Sequence, residues 1–305
     1  MKTLRKKHIC LFGLGALALA GMACGQHGDV GPDWNVAEIN QDGGPQGWKQ
    51  VSVASNYACG LTTDGEVNCW GNSNTPSENP PQEEFQEISV GANHACGLEI
   101  NGQVHCWGWE GALPPQGQML QLSTGRHHSC AVKADNTVIC WGGNAYGATD
   151  VPEDRFKQVS AGAEYTCGIT LGDEVKCWGL DDDPGMDLDF GQARPPRGKF
   201  KKVSAGKSTT CAITMDDGLR CWGRMRTNHV PGIIAVDVTT YHICGIELTG
   251  EVACWGYGSE PGEGDGQAIP PDGTFRQVSV RNATSCGITT GNEIECWGKV
   301  FEGQP

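Results

Sequence analysis

Seven times along the chain a cysteine is followed ten residues later by another cysteine, and then at once by Trp-Gly. The pairs are Cys59 with Cys69, Cys96 with Cys106, Cys130 with Cys140, Cys167 with Cys177, Cys211 with Cys221, Cys244 with Cys254 and Cys286 with Cys296. The spacing inside a pair never changes, whereas successive pairs start 33 to 44 residues apart. A constant unit joined by variable connectors is the mark of a repeat architecture. It overrides the two-domain expectation that 305 residues would otherwise carry.

Each unit reads as strand. The residue after the first cysteine is Gly or Ala, and the next is aliphatic, as in Gly60-Leu61 and Ala131-Val132. A second aliphatic stands two before the second cysteine, from Val67 to Ile294, so the alternation has period two. Six residues past each first cysteine lies Gly, Asn or Asp: Gly65, Gly102, Asn136, Asp173, Asp217, Gly250 and Asn292. These residues tolerate positive φ, which the last position of a three-residue hairpin loop requires. That loop sets Leu61 opposite Val67 and Cys59 opposite Cys69, at a separation of about 4.5–5.5 Å that a disulfide can span. The sequence therefore predicts seven disulfides, one stapling each hairpin. Closing a loop of this size contributes about 2.5–3 kcal/mol in the chain-entropy picture. Structural zinc, the alternative for regular cysteines, needs ligands clustered two to four residues apart, and the spacing here lacks them.

A further strand is expected before each hairpin, at Gln50–Val53, Gln86–Val90, Leu120–Thr124, Lys157–Ala161, Lys201–Ala205, Ala235–Val238 and Arg276–Val280. The Pro-, Gly- and acid-rich connectors leave room for a weak fourth. Seven small sheets placed radially make one all-β, seven-bladed β-propeller over residues 46–305, with an intra-hairpin disulfide in every blade.

The first 23 residues read as a leader. Lys2, Arg5, Lys6 and Lys7 precede an apolar core from Ile9 to Ala20, too short for a permanent span. Gly21-Met22-Ala23-Cys24 then resembles a bacterial lipoprotein cleavage site with Cys24 as the lipidated residue. Ordinary cleavage after Ala18-Leu19-Ala20 is the alternative, giving a periplasmic or secreted protein. Sixteen cysteines less seven pairs leave Cys10, inside the leader, and Cys24, so acylation gives the odd thiol a role. Gly25 in place of the retention Asp points to the outer membrane. Residues 24–45 read as a flexible tether, and a segment within Trp34–Asn40 is expected to add a closing strand, since only seven residues follow Gly298. The formal charge is −14, and loss of the four leader cations takes it to −18. Such a surface repels nucleic acid and anionic lipid, so membrane contact is expected only through the anchor.

The stretch Gly91-Ala92-Asn93-His94-Ala95-Cys96-Gly97-Leu98, with Asn101-Gly102-Gln103-Val104-His105-Cys106-Trp107-Gly108, resembles the regulator of chromosome condensation repeat. The family's fold is a seven-bladed propeller, and the resemblance covers Gln46 to the C-terminus. Its Trp-Gly is usually followed by Asn and Gly-Gln-Leu-Gly, which only Gly143-Asn144-Ala145-Tyr146-Gly147 echoes here. The eukaryotic founder exchanges guanine nucleotide on a nuclear GTPase and docks on chromatin, which suits an exported acidic chain poorly. Bacterial secreted inhibitors with this fold clamp an enzyme with one propeller face, a closer precedent.

Candidate sites follow from what does and does not repeat. His94, His128 and His242 share one position, two before the first cysteine, with Tyr57, Tyr165, Thr209 and Thr284 in the other blades. The resemblance implies hydrogen bonds within each blade rather than metal ligation. The seven tryptophans after the second cysteines are expected between blades. Unrepeated aromatics on connectors, Trp109, Tyr146 and Tyr257, are the binding candidates. Asp181–Asp189 holds five carboxylates in nine residues but lacks the spacing of a calcium loop and reads as solvated. No nucleophile elbow, phosphate loop or His-Glu-x-x-His occurs, so no catalytic residue, cofactor or metal is assigned. The sequence thus describes an envelope binding scaffold whose ligand is a protein or, second, an envelope glycan. An envelope polysaccharide-acting enzyme is the alternative, with nucleotide exchange behind it.

Overall fold

The computed structural model describes residues 47–71, 80–109, 113–180 and 189–305. Within them lie seven antiparallel sheets. The first three are β1 (Trp48–Val53), β2 (Tyr57–Thr62) and β3 (Val67–Gly71); β4 (Phe85–Val90), β5 (Ala95–Glu99) and β6 (Val104–Trp107); and β7 (Met119–Thr124), β8 (His128–Lys133) and β9 (Val138–Gly142). The fourth is β10 (Phe156–Ala161), β11 (Tyr165–Thr170) and β12 (Val175–Gly179). The fifth has four strands: β13 (Phe200–Ala205), β14 (Thr209–Thr214), β15 (Leu219–Gly223) and β16 (Thr227–Val230). The last two are β17 (Ile233–Val238), β18 (His242–Glu247) and β19 (Val252–Gly256); and β20 (Phe275–Arg281), β21 (Thr284–Thr289) and β22 (Ile294–Gly298). Among the described residues only the fifth blade carries the fourth strand. Trp34–Asn40, expected to supply another, lies outside them, as do Cys24 and most of the acidic run at 181–188.

The hairpin register is the one the cysteine spacing dictates. Cys59 pairs with Cys69 and Leu61 with Val67, and the same offsets recur in every blade. All seven disulfides form, with Cα atoms 4.0–4.1 Å apart. They join Cys59 to Cys69, Cys96 to Cys106, Cys130 to Cys140, Cys167 to Cys177, Cys211 to Cys221, Cys244 to Cys254 and Cys286 to Cys296. The first cysteine of every pair is fully buried on the central strand. The second members Cys69, Cys106, Cys140, Cys177, Cys254 and Cys296 are half-buried on the outer strand. Cys221 is buried as well, because β16 pairs alongside it at Thr227. The seven turn residues all adopt positive φ, from 62° at Asp217 to 92° at Gly65. Their carbonyls have a second task. Each accepts the backbone N–H that opens the following blade, as Gly65 does from Phe85 at 2.8 Å and Asn136 from Phe156 at 2.7 Å. Asn292 completes the circle by accepting the Trp48 N–H at 2.8 Å.

The first strands begin one or two residues earlier than expected, on Trp48, Phe85, Met119, Phe156, Phe200, Ile233 and Phe275. Each stands eleven residues before the first cysteine of its blade and is followed by a register shift. The bulge turns this large side chain across the sheet, over the small residue that follows the cysteine. A Cβ added at Gly60, Gly168 or Gly287 would meet the ring of Trp48, Phe156 or Phe275 at 2.5–2.6 Å. The Gly or Ala after each first cysteine is thus the floor beneath an apolar lid.

Polar side chains of the first strands lock neighbouring blades together. Gln50 donates Nε2–H to Ile88 O at 2.7 Å and accepts the Ile88 N–H at 2.8 Å. Gln121 makes the same two-armed clasp on Val159, and Gln158 on Val203. Two residues on, Ser52, Ser89, Ser123 and Ser160 accept an N–H from the next blade at 2.8–3.0 Å. Between these clasps lie the apolar seams. Tyr57, Leu61 and Val67 of the first blade enclose Ile88 and Trp107 of the second, while Trp70 lies with Cys286, Ile288 and Ile294 of the last. The tryptophans therefore pack between blades, as their repetition implies. The last blade meets the first through the same devices.

Candidate functional site

Strand direction divides the propeller into two ends. The turns after positions such as Thr62 lie at a hairpin end. The loops joining first and second strands lie at the other, together with the Trp-Gly exits. A Cβ on Gly71 would lie 2.6 Å from Asn56 O, which places an exit beside a loop. The unrepeated aromatics collect at this loop end.

The loop end is braced from below. His94 and His128 are buried and pair through Nε2 with Ser129 Oγ at 2.7 Å and Thr166 Oγ1 at 2.8 Å. His242 pairs with Ser285 Oγ at 2.8 Å, and Tyr165 OH with Thr210 Oγ1 at 2.7 Å. Every one of these partners belongs to the following blade, which corrects the expectation of bonds within a blade. The side chain points along the ring, so the nearest hydroxyl is the neighbour's. Thr166, Thr210 and Ser285 pass the bond on to the carbonyls of Ala148, Gln192 and Gln267 in the connectors. Trp178 and Trp222 donate their indole N–H to the same two carbonyls, of Ala148 and Gln192. Gly191-Gln192-Ala193 and Gly266-Gln267-Ala268 thus fill the place of Gly147-Ala148, although connector length hides them in sequence. Burial drives all three histidines down to a pKa of about 4, so they are neutral at pH 7. No group of three His, Cys, Asp or Glu residues suited to a metal exists among the described residues.

On this braced platform Trp109 stands 40% exposed, its ring 6.0 Å from that of His94. Tyr257 is 51% exposed and donates its backbone N–H to Tyr241 O at 2.8 Å. Tyr241, which the sequence did not single out, is 47% exposed beside it. Its signal is a tyrosine in a loop position that holds Asn, Asn, His, Glu, Ser and Ala in the other blades. Tyr146 is placed differently. It packs half-buried against a core cluster and accepts the Leu180 N–H at 2.9 Å, so it is a brace.

At the axis of the loop end is a cavity of about 240 Å³. All seven blades reach it with the residue four before their first cysteine. Arg126 and Lys207 occupy two of these places, and Ser55, Ala92, Ala163, Thr240 and Asn282 the rest. Arg281 and Thr239, one residue earlier, complete the lining. At the hairpin end a different position is apolar: Ile100, Leu171, Met215 and Leu248 share one turn place and are 53–75% exposed.

The regulator of chromosome condensation (RCC1) repeat matches residues 48–75, 85–112, 120–148, 156–183 and 200–227. No curated protein matches the chain by sequence. Among solved structures, the CRINKLY WD40 ectodomain of the Arabidopsis thaliana receptor kinase ACR4 is similar at 25% identity and TM-score 0.67. That alignment covers 85% of this chain and 98% of that one. The ectodomain of the Physcomitrella patens receptor kinase CR4 is 27% identical with TM-score 0.61, covering 70% of this chain and 64% of that one. Yeast RCC1 (Prp20), solved with Kap60, is 15% identical with TM-score 0.62, over 84% and 81% of the two chains. The repeat motif, the seven sheets and these likenesses agree: the chain belongs to the regulator of chromosome condensation repeat family, in a form with a cross-strand disulfide in each of its seven blades.

Proposed function

We propose that this protein is an exported binding scaffold that recognises a protein partner with the loop end of its propeller. The observation that carries the reading is the trio Trp109, Tyr241 and Tyr257, exposed at 40–51% on a platform braced by buried hydrogen bonds. Large aromatics with a polar handle are the residues that anchor protein interfaces, and a rigid frame lowers the entropic cost of engaging them. Propellers of this type commonly serve as protein-binding scaffolds. Seven disulfides suit an oxidising extracellular or periplasmic setting. Cys24 supplies a lipid anchor, which metabolic labelling with a fatty acid and a Cys24→Ser variant would test.

The binding test compares three forms of the full chain as bait in an envelope extract. These are the wild type, a triple variant combining Trp109→Ala, Tyr241→Ala and Tyr257→Ala, and a second triple combining Ile100→Ala, Leu171→Ala and Leu248→Ala at the hairpin end. One stoichiometric protein retained by the first and third and lost by the second is the expected result. The reverse pattern moves the interface to the hairpin end. Turnover of an envelope polysaccharide with no protein retained replaces the scaffold by the enzyme reading.

A further inference from the structure

The axial cavity gathers positive charge in an acidic protein. Against a formal charge of −14, its lining holds Arg126, Lys207 and Arg281 and no carboxylate. The repeat makes the convergence geometric. One position, four before the first cysteine, points all seven blades at the same axis, so cations placed there meet although 81 residues separate Arg126 from Lys207. The remaining places hold small or neutral side chains, which leave the room between the cations open.

The cations are only partly neutralised from outside the lining. Glu164 Oε1 lies 3.6 Å from Arg126 Nη1, a long contact for an ion pair, and Arg126 is itself half exposed. Arg281 has the carboxyl of Asp237 behind it as an electrostatic partner. Its Nε is buried with no hydrogen-bond acceptor from the protein. Such a donor is costly to leave unmade. Asp237 is already committed, accepting from Ser204 Oγ at 2.8 Å, Val280 N–H at 2.8 Å and Val238 N–H at 2.9 Å. Like charges held together in a concave site focus potential on its centre.

We propose that the axial cavity is a binding site for a compact oxyanion of two or more negative charges, gripped by Arg126, Lys207 and Arg281. Two guanidinium forks and an ammonium supply the planar and point donors that carboxylate and phosphate oxygens take. At 240 Å³ the space holds a small molecule or a single anionic group, not a folded segment. The hydroxyls of Ser55 and Thr240 add neutral donors on the rim. The site stands apart from the protein-partner reading, since it needs neither Trp109 nor the two tyrosines.

Calorimetric titration of the full chain with citrate, inorganic phosphate and, as a monovalent control, acetate tests this at low and at physiological salt. One saturable site for citrate, phosphate or both, weaker for acetate and weakened by salt, is expected. Response to citrate alone assigns the site to polycarboxylates, and to phosphate alone to phosphate groups. Lys207→Glu and Arg126→Glu change exposed side chains and should each lower affinity about tenfold or more. Lys133→Glu, at the hairpin end of β8 and outside the cavity lining, should leave it unchanged. Arg281→Ala is read only where its melting curve matches the wild type. No saturable binding up to about 10 mM of either polyvalent anion, or equal affinity in the Lys207, Arg126 and Lys133 variants, would overturn the assignment.

Discussion

Gln277 closes the ring on Val51. Its Nε2–H donates to Val51 O at 2.7 Å, and its Oε1 accepts the Val51 N–H at 2.8 Å. The two residues are 226 apart in sequence, yet the contact repeats the clasp of Gln50 on Ile88. Ser279 reinforces it by accepting the Val53 N–H at 3.1 Å. Closure in the described residues therefore sets side chains against a backbone edge, beside the backbone bond from Trp48 N–H to Asn292 O.

Gln277→Ala removes both arms and leaves the N–H and C=O of the buried Val51 without these partners. The expected cost is about 2–3 kcal/mol in a urea melt. Gln121→Ala should cost a similar amount, because it opens an equivalent clasp. The two differ in hydrogen exchange. Faster exchange at Val51 and Val53 should accompany only the Gln277 variant, since its seam joins the chain's most distant blades. Unchanged exchange there would mean that the apolar seam and the remaining hydrogen bonds hold the ring shut without the clasp.

The hairpins were legible because everything that sets them is local. A second cysteine ten positions after the first, a positive-φ residue at the sixth position and aliphatics on one face fix one register. The Gln, Ser and His bonds between consecutive blades were not, because they join residues 33 to 45 apart across connectors of changing length. A Gln two residues from a Ser on a strand reads as a solvent-facing edge, and only the sheet's neighbour reveals it as a clasp. The same holds for the histidines, whose hydroxyl partners lie a blade away. The axial cations were invisible for a related reason: Arg126 and Lys207 become neighbours only when a linear repeat is bent into a circle.

Glu87 occupies the clasp position in the second blade, where four other blades carry Gln. Burial raises its carboxyl to about 7, against the pull of the Leu122 N–H and Lys49. A protonated carboxyl can donate and accept as an amide does, whereas the carboxylate can only accept. Because the folded value lies above the unfolded one, the stabilisation is complete below pH 4.5 and is lost as pH rises through 7. Glu87→Gln should restore the full clasp at all pH values. At pH 8 it should stabilise by about 1 kcal/mol, a figure reduced for partial exposure. Below pH 4.5 the gain should vanish. A gain that persists unchanged at pH 4 would show that the carboxyl proton plays no part.

The histidines act in the opposite sense. His94, His128 and His242 are held near a pKa of 4 by burial, below the usual 6.5. Their neutral forms fit the fold, so the stability they carry is present above pH 6.5 and is lost as pH falls towards 4. Each contributes on the order of 3 kcal/mol to that loss. Urea midpoints should therefore drop steeply between pH 6.5 and 4. His128→Tyr offers a variant that keeps the geometry, because Tyr165 already spans the same gap to Thr210. It should fold and lose about a third of the acid sensitivity. An acid profile identical to the wild type would assign the effect to other groups.

The disulfides set how the blades respond to reduction. The first cysteine of each pair is fully buried, as at Cys59, Cys167 and Cys286, beneath the seam with a neighbouring blade. The partners Cys140, Cys177, Cys254 and Cys296 are half-buried against the same seams, and Cys221 lies deeper still. A reductant must wait for the seam to open, so reduction of the native protein should be slow and should speed up with urea. Unfolding without reductant should release no thiol from the fourteen blade cysteines. Replacing both Cys167 and Cys177 by Ser should cost about 2.5–3 kcal/mol if the cross-link acts by restricting the unfolded chain. The folded blade already pairs these strands from Tyr165 to Val175, so the loss should show as a lower urea midpoint with little change in the native spectrum. Rapid labelling of several of these cysteines in the native state would contradict the stapled hairpin on which each blade is built.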